Sequence, residues 1–216
     1  MDTKGILISF EGPDGAGKTS VLKIILNRLK PILGERLLFT REPGGTNNPI
    51  AEAIRGLVLS SNYSEIDDRT EVLLFAASRR QHLVQTILPA LKAGKIVITD
   101  RYVDSSIAYQ GGGRKISVQK VININEFAIE GILPDYTIYF NVRPEIGIQR
   151  IKQTRMNEVN RLDKTAITFH QRVSESYLAI AAGDPERFRI INAEADFDTV
   201  LEETWQVIKK ILRTRL

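Results

Sequence analysis

The chain has no cysteine among its 216 residues, which excludes disulfides, thiolate nucleophiles and cysteine-ligated zinc together. It has only two histidines, His82 and His170, far apart in sequence, so a histidine-built metal centre is not expected. Long apolar runs are missing as well. Val72 to Ala77 reaches six residues, against the roughly 20 that a membrane-spanning helix demands. The first residues lead straight into a strand-like segment, without the basic, apolar and small-residue layout of a secretion signal. The expected location is the cytoplasm. No large excess of one charge exists either: 30 Lys and Arg face 26 Asp and Glu, a net of +4. That mild positive balance favours anionic partners without choosing among them. The basic residues are scattered apart from Lys209, Lys210, Arg213 and Arg215, which read as a solvated last turn offsetting a helix dipole. Neither a nucleic-acid polymer nor a membrane is expected as a partner. What is present is ordinary for a globular protein, 43% hydrophobic and 26% charged, at a length that buries roughly 70% of its unfolded surface. One domain over residues 1–216 is expected.

Short apolar runs alternate with stretches of helical periodicity. Ile6–Phe10, Leu37–Thr40, Ile96–Thr99, Tyr136–Phe140 and Phe188–Ile191 read as five strands. Between them, Val21, Leu22, Ile25 and Leu29 mark a helix ending at Pro31. Val72–Leu91 reads as a long helix with a break near Pro89. Further helices are expected over Val118–Ile132, from about Pro144, over Phe169–Ala182 and over Val200–Leu212. Apolar strands separated by helices imply an α/β fold, a parallel sheet of about five strands covered on both faces. Ligands of such sheets bind at the carboxyl ends of the strands.

The first strand runs into Gly12-Pro13-Asp14-Gly15-Ala16-Gly17-Lys18-Thr19, an instance of G-x-x-x-x-G-K-[ST] followed by Ser20. Glycines there let the backbone wrap a phosphate chain at a helix N-terminus, Lys18 reaches the β- and γ-phosphates, and Thr19 suits Mg²⁺. Strand, loop and helix in that order are the context this motif needs, so a nucleoside triphosphate is the expected ligand. The D-x-x-G and N-K-x-D of a GTPase switch do not follow, and a small kinase fits the length. Asp100, ending the third strand beside Arg101, stands where an acid holds Mg²⁺. Arg41 and Glu42 open a turn at the same edge. Phe75 and Arg79 are four residues apart and share a helix face, able to stack on a base and bond its edge. A core phenylalanine with a surface arginine is the plainer account of that pair. Arg143, Arg150, Arg155 and Arg161 punctuate a polar stretch suited to closing over transferring phosphates.

In this combination the chain resembles the thymidylate kinase family, of the bacterial type. The resemblance runs through FEGPDGAGKT (10–19), REPGGT (41–46), FAASRRQHL (75–83), DRYVDSSIAYQGGGR (100–114) and RLD (161–163). It implies a P-loop kinase fold with a lid over about 150–163, and transfer of phosphate from ATP to dTMP with Mg²⁺. By the same resemblance, Gly12 and residues 14–20 meet the ATP phosphates, and Thr19 and Asp100 organise the metal. Asp14 also meets the sugar 3′-hydroxyl and Phe75 stacks on thymine. Arg79, Ser106 and Gln110 contact the base. Arg41, Arg55 and Arg101 handle the acceptor phosphate, with Glu42 a polar neighbour. Tyr109 lies under the sugar, where it would exclude a 2′-hydroxyl. Gly15 stands where another type of the family has an arginine, so the reaching arginine is expected from the lid, Arg155 first, with Arg150 and Arg161 as alternates. A homodimer is implied too. Rival readings are a kinase for dUMP or a deoxynucleoside, and a regulatory nucleotide-binding module.

Overall fold

The computed structural model of the chain describes residues 5–154 and 166–213. Five parallel strands form one sheet in the order β2-β3-β1-β4-β5: β1 (Ile6–Glu11), β2 (Leu37–Arg41), β3 (Ile96–Asp100), β4 (Tyr136–Asn141) and β5 (Phe188–Asn192). Every residue of β1 is buried, because the strand has a neighbour on each side and helices on each face. Its side chains alternate between two cores. Ile6, Ile8 and Phe10 join Ile96 and Ile98 against α1 (Lys18–Leu33) and α9 (Phe197–Arg213). Leu7 faces the other way with Val97, against α3 (Asp68–His82), α4 (Leu88–Lys92) and α6 (Val118–Ile129). The expectation of strands buried on both faces holds for β1, β3 and β4. It fails at the edges, where Phe39 of β2 and Ile190 of β5 are 38% and 50% exposed.

Three local expectations differ from the structure. Helix α1 does not stop at Pro31 but carries it in its last turn and closes at Gly34, whose N–H bonds the Lys30 carbonyl. The long helix does not break at Pro89. Residues 83–87 widen into a π turn just before it, and the missing proline N–H is absorbed there. A helix beyond those expected, α2 (Pro49–Leu59), starts at Asn48, whose side chain caps the Ala51 N–H at 3.2 Å. Asp67 caps α3 in the same way, through Arg69 and Thr70.

After β3 the chain turns through the short helix α5 (Val103–Ser106) and a wide helical segment over 107–113. That segment packs on α8 (Ile167–Gly183), where Tyr109, Phe169, Val173 and Tyr177 form a third apolar cluster with Tyr139 of β4. Helix α7 (Pro144–Thr154) follows β4. Register aligns Arg41, Asp100 and Phe10 across the sheet, so the ends of β2, β3 and β1 open onto one edge.

Candidate active site

That edge is a cavity of about 690 Å³. Its lining runs from the 14–20 loop through the ends of β2 and β3, the α3 face bearing Phe75 and Arg79, and the 105–110 segment, to Arg150 of α7. Every site residue singled out from the sequence lines it, apart from Gly12, Arg143 and the residues outside the described chain. Gly12 lies where a Cβ would fall 2.6 Å from the Phe140 carbonyl, at φ 143°; the close approach of β4 demands a glycine there. Arg155 and Arg161 lie outside the described residues. Of the lid arginines, Arg150 is within them, lines the cavity and donates to the Ala193 carbonyl at 2.7 Å. Arg143 is held away by Glu194 at 2.9 Å.

The loop reaches Lys18 through Gly15 and Gly17, both at positive φ. Gly15 faces Gly147 of α7 so closely that a Cβ on it would lie 2.1 Å from the Gly147 carbonyl. Lys18 is buried, and burial first, then Arg101, push its pKa down to about 8, against the pull of Asp100 and Asp14. The Thr19 hydroxyl donates to Asp100 Oδ2 at 3.3 Å. Asp100 Oδ1 is buried with no hydrogen-bond partner among the described residues. An orphaned carboxylate oxygen beside a hydroxyl is a donor set that suits Mg²⁺, which takes one or two protein oxygens and completes its shell with phosphate and water.

Arg101 joins this loop to the rest of the cavity. Its backbone takes φ 68°, unusual for a residue with a side chain, and its N–H donates to the Phe10 carbonyl at 3.0 Å. The guanidinium donates to Asp14 at 2.7 Å, to Ser105 at 3.0 Å and to the hydroxyls of Tyr109 and Tyr177 at 3.2 and 3.4 Å. The Tyr109 hydroxyl donates to the other Asp14 oxygen at 2.7 Å. Burial acts to raise the Asp14 pKa, but Arg101, Lys18 and the Tyr109 hydrogen bond outweigh it and hold the carboxyl below its ordinary range. Arg41 is tied to Glu52 at 3.1 Å, and Arg55 to the Pro43 carbonyl at 2.8 Å.

Phe75 lies at the boundary of core and cavity, 9% exposed. The plainer account of its neighbour fails, because Arg79 is a buried arginine at 2% exposure. It donates to Glu42 at 2.7 Å, to Ser106 at 3.1 Å, to the Tyr102 carbonyl at 3.3 Å and to Asn125. Glu42 also takes His82 Nδ1 at 3.1 Å, so this carboxylate sits on Arg79 and His82. Gln110 donates its amide N–H to Glu71 at 2.9 Å, and Arg114 meets the same carboxylate at 3.1 Å.

Sequence reasoning missed the groups behind these side chains. Glu52, Glu71, His82 and Asn125 each hold a site residue. Glu11 is another: fully buried at the end of β1, it accepts from the Tyr102 N–H and from the hydroxyls of Ser105 and Tyr177. Burial first, then Asp104, push its pKa up to about 7, against Arg101, Ser105 and the Tyr102 N–H. One signal was available: like Asp100, Glu11 is an acid closing an otherwise apolar strand. For Tyr177 there was none.

The family model for thymidylate kinase matches residues 10–204. The thymidylate kinase of Leuconostoc citreum is 52% identical over 213 residues, covering 99% of each chain. That of Enterococcus faecalis is 50% identical, covering 95% of this chain and 96% of the other. Among solved structures, thymidylate kinase from Ehrlichia chaffeensis superposes with a TM-score of 0.75 at 31% identity, over 94% of this chain and 98% of that one.

Proposed function

The chain belongs to the thymidylate kinase family, and from that premise we propose a division of labour in its cavity. The activity is phosphorylation of dTMP to dTDP by ATP, a nucleoside monophosphate kinase reaction. The observation that carries the residue assignment is the seat of Arg101, which bonds Asp14 of the phosphate loop at 2.7 Å inside the same cavity as Phe75 and Arg79. Donor and acceptor sites therefore share one wall.

In this reading the 14–20 loop and Lys18 hold the ATP phosphates, while Arg101, with Arg41 and Arg55, holds the acceptor phosphate. Phe75 stacks on thymine, and Arg79, Ser106 and Gln110 meet its edge. Asp14 takes the 3′-hydroxyl, and Tyr109 closes the space beside the 2′ carbon. Thr19 and Asp100 hold Mg²⁺. Bound there, the ion would supply charge neutralisation to the ATP phosphates. The acceptor phosphate is ionised at neutral pH, so no general base is required. One of its oxygens forms the new bond to the γ-phosphorus as the bond to the β-γ bridging oxygen breaks, and ADP leaves with that electron pair. The protein's own contribution is to bring two polyanions together and exclude water. An arginine from a lid over about 150–163, Arg155 before Arg150 or Arg161, closes over the transferring group. The lid, a single domain over 1–216, a cytoplasmic location and a homodimer complete the reading. For the homodimer, the support is apolar side chains left in water: Leu57 on α2, Leu73 on α3 and Phe127 on α6 are 40%, 56% and 88% exposed.

The test is ADP release with ATP, Mg²⁺ and each nucleoside monophosphate in turn. Strong turnover with dTMP, weaker with dUMP and none with AMP, GMP or CMP is expected. ADP appearing at one rate whatever the acceptor would remove the acceptor site. K18A should fold, as judged by its melting curve, and lose nearly all turnover; substantial activity in it would refute the phosphate-loop assignment.

A further inference from the structure

The cluster behind Arg101 is not accounted for by any of these roles. Glu11 lies behind the arginine with its two carboxylate oxygens in different employment. Oε1 accepts the Tyr102 backbone N–H at 2.7 Å. Oε2 accepts the Ser105 hydroxyl at 2.6 Å and the Tyr177 hydroxyl at 2.8 Å. Both hydroxyls also touch one nitrogen of Arg101, Nη1, at 3.0 and 3.4 Å.

Proton counting makes this arrangement directional. A hydroxyl has one hydrogen to give and lone pairs to receive with, while an ionised carboxylate only receives and a guanidinium only donates. When Ser105 and Tyr177 both give their hydrogens to Oε2, each is left with lone pairs toward Nη1, which has two hydrogens to offer. The hydroxyl oxygens, 2.9 Å apart, then converge on the guanidinium as acceptors. With Nη1 held at that end and Nη2 held by Asp14 and Tyr109, the plane of the guanidinium is fixed at both corners.

We propose that Glu11 is a positioning residue for the acceptor phosphate: by drawing the Ser105 and Tyr177 protons to itself, it turns their lone pairs to Arg101 and holds that guanidinium in its phosphate-binding orientation. The proposal rests on reading Arg101 as the ligand of the acceptor phosphate. A neutral isostere cannot replace the carboxylate. In E11Q the amide oxygen must stay on the Tyr102 N–H, a buried donor that otherwise goes unmet. The NH₂ group then faces the two hydroxyls, which must accept from it; one can give its hydrogen to the other across 2.9 Å, and the remaining hydrogen turns toward Nη1, donor against donor.

The experiment compares dTMP with thymidine, which lacks the phosphate, by calorimetric titration of wild type, E11Q, R101Q and the double variant at about pH 8, where the Glu11 carboxyl, with its pKa raised to about 7, is ionised. E11Q is expected to weaken dTMP by about tenfold or more while thymidine stays within about twofold, the scale of a charge-assisted hydrogen bond lost. R101Q should show the same phosphate-selective loss, and adding E11Q to it should cost less than about twofold more. If R101Q is selective but E11Q weakens both ligands alike, or neither, the Glu11 proposal falls and the Arg101 reading stands. If R101Q itself fails to distinguish the ligands, the Arg101 reading falls and takes the proposal with it. Y177F keeps the carboxylate and its charge and removes one of the two turned hydroxyls. A smaller loss of about threefold, again confined to dTMP, is expected of it. Should E11Q not fold, Y177F decides alone, and equal effects on the two ligands would overturn the proposal.

Discussion

At the scale of single residues, the Glu11 carboxyl gives the fold a pH dependence of a definite sign. Burial above all raises its pKa from 4.5 to about 7, so between those values the folded chain binds a proton that the unfolded chain has released. The stability this provides is complete below about pH 4.5 and is lost as pH rises through 7, about 3 kcal/mol in total. Gln cannot titrate, so the stability of wild type relative to E11Q should fall by that order between pH 4.5 and 8. Urea unfolding of both proteins at the two pH values measures it, and a constant difference would rule it out. Phe75 offers a second residue-scale test. Phe75→Ala removes the ring from the acceptor side alone, so dTMP affinity should drop by about tenfold or more while ATP affinity stays nearly unchanged. Equal losses by titration would make Phe75 a core residue only. What the sequence showed and hid at this scale follows from distance along the chain. Lys18, Thr19, Asp100 and Arg101 stand in short motifs whose neighbours announce them. Glu11 and Tyr177 meet across 166 positions, and Arg79 and Asn125 across 46, and no local pattern carries such a pairing.

Between elements, the tightest fit is the phosphate loop against α7. A Cβ on Gly15 would stand 2.1 Å from the Gly147 carbonyl, and one on Gly147 would stand 2.7 Å from the Asp14 carbonyl. The two backbones touch because neither residue has a side chain. Gly15 also needs φ 76°, which costs an alanine about 1 kcal/mol. G15A should therefore displace either the loop or the helix that brings Arg150 and Ile151 to the cavity. An ATP affinity at least about tenfold lower is expected, since both the loop's backbone amides and its spacing from α7 shift. Normal ATP binding by G15A in titration would show that the contact is dispensable. The strands and most helices were legible because periodicity reports burial. Helix α2 was not among those expected, although Ile50, Ile54, Leu57 and Val58 stand at helical spacing behind Asn48 and Pro49; the stripe is short, and Ile50 and Leu57 on it stay 52% and 40% exposed. The edge strands β2 and β5 read like the buried ones, because an apolar run does not say which strand lacks a neighbour.

At the scale of the whole molecule, the expected homodimer can be tested through its exposed apolar side chains. Light scattering after gel filtration should give twice the 24.3 kDa chain mass, and Phe127→Glu, at the most exposed of these positions, should shift the mass toward one chain. A wild type at one chain mass would end the dimer reading. A different whole-molecule property follows from Arg101. The residue assigned to the acceptor holds Asp14, which belongs to the loop assigned to the donor, through a hydrogen bond of 2.7 Å. Whatever occupies one side therefore alters the groups available to the other, and thermodynamics makes such an influence symmetrical: the factor by which dTMP changes the affinity for ATP is the factor by which ATP changes the affinity for dTMP. Filling order would then be set by each nucleotide's cellular concentration relative to its own dissociation constant, with each the other's regulator.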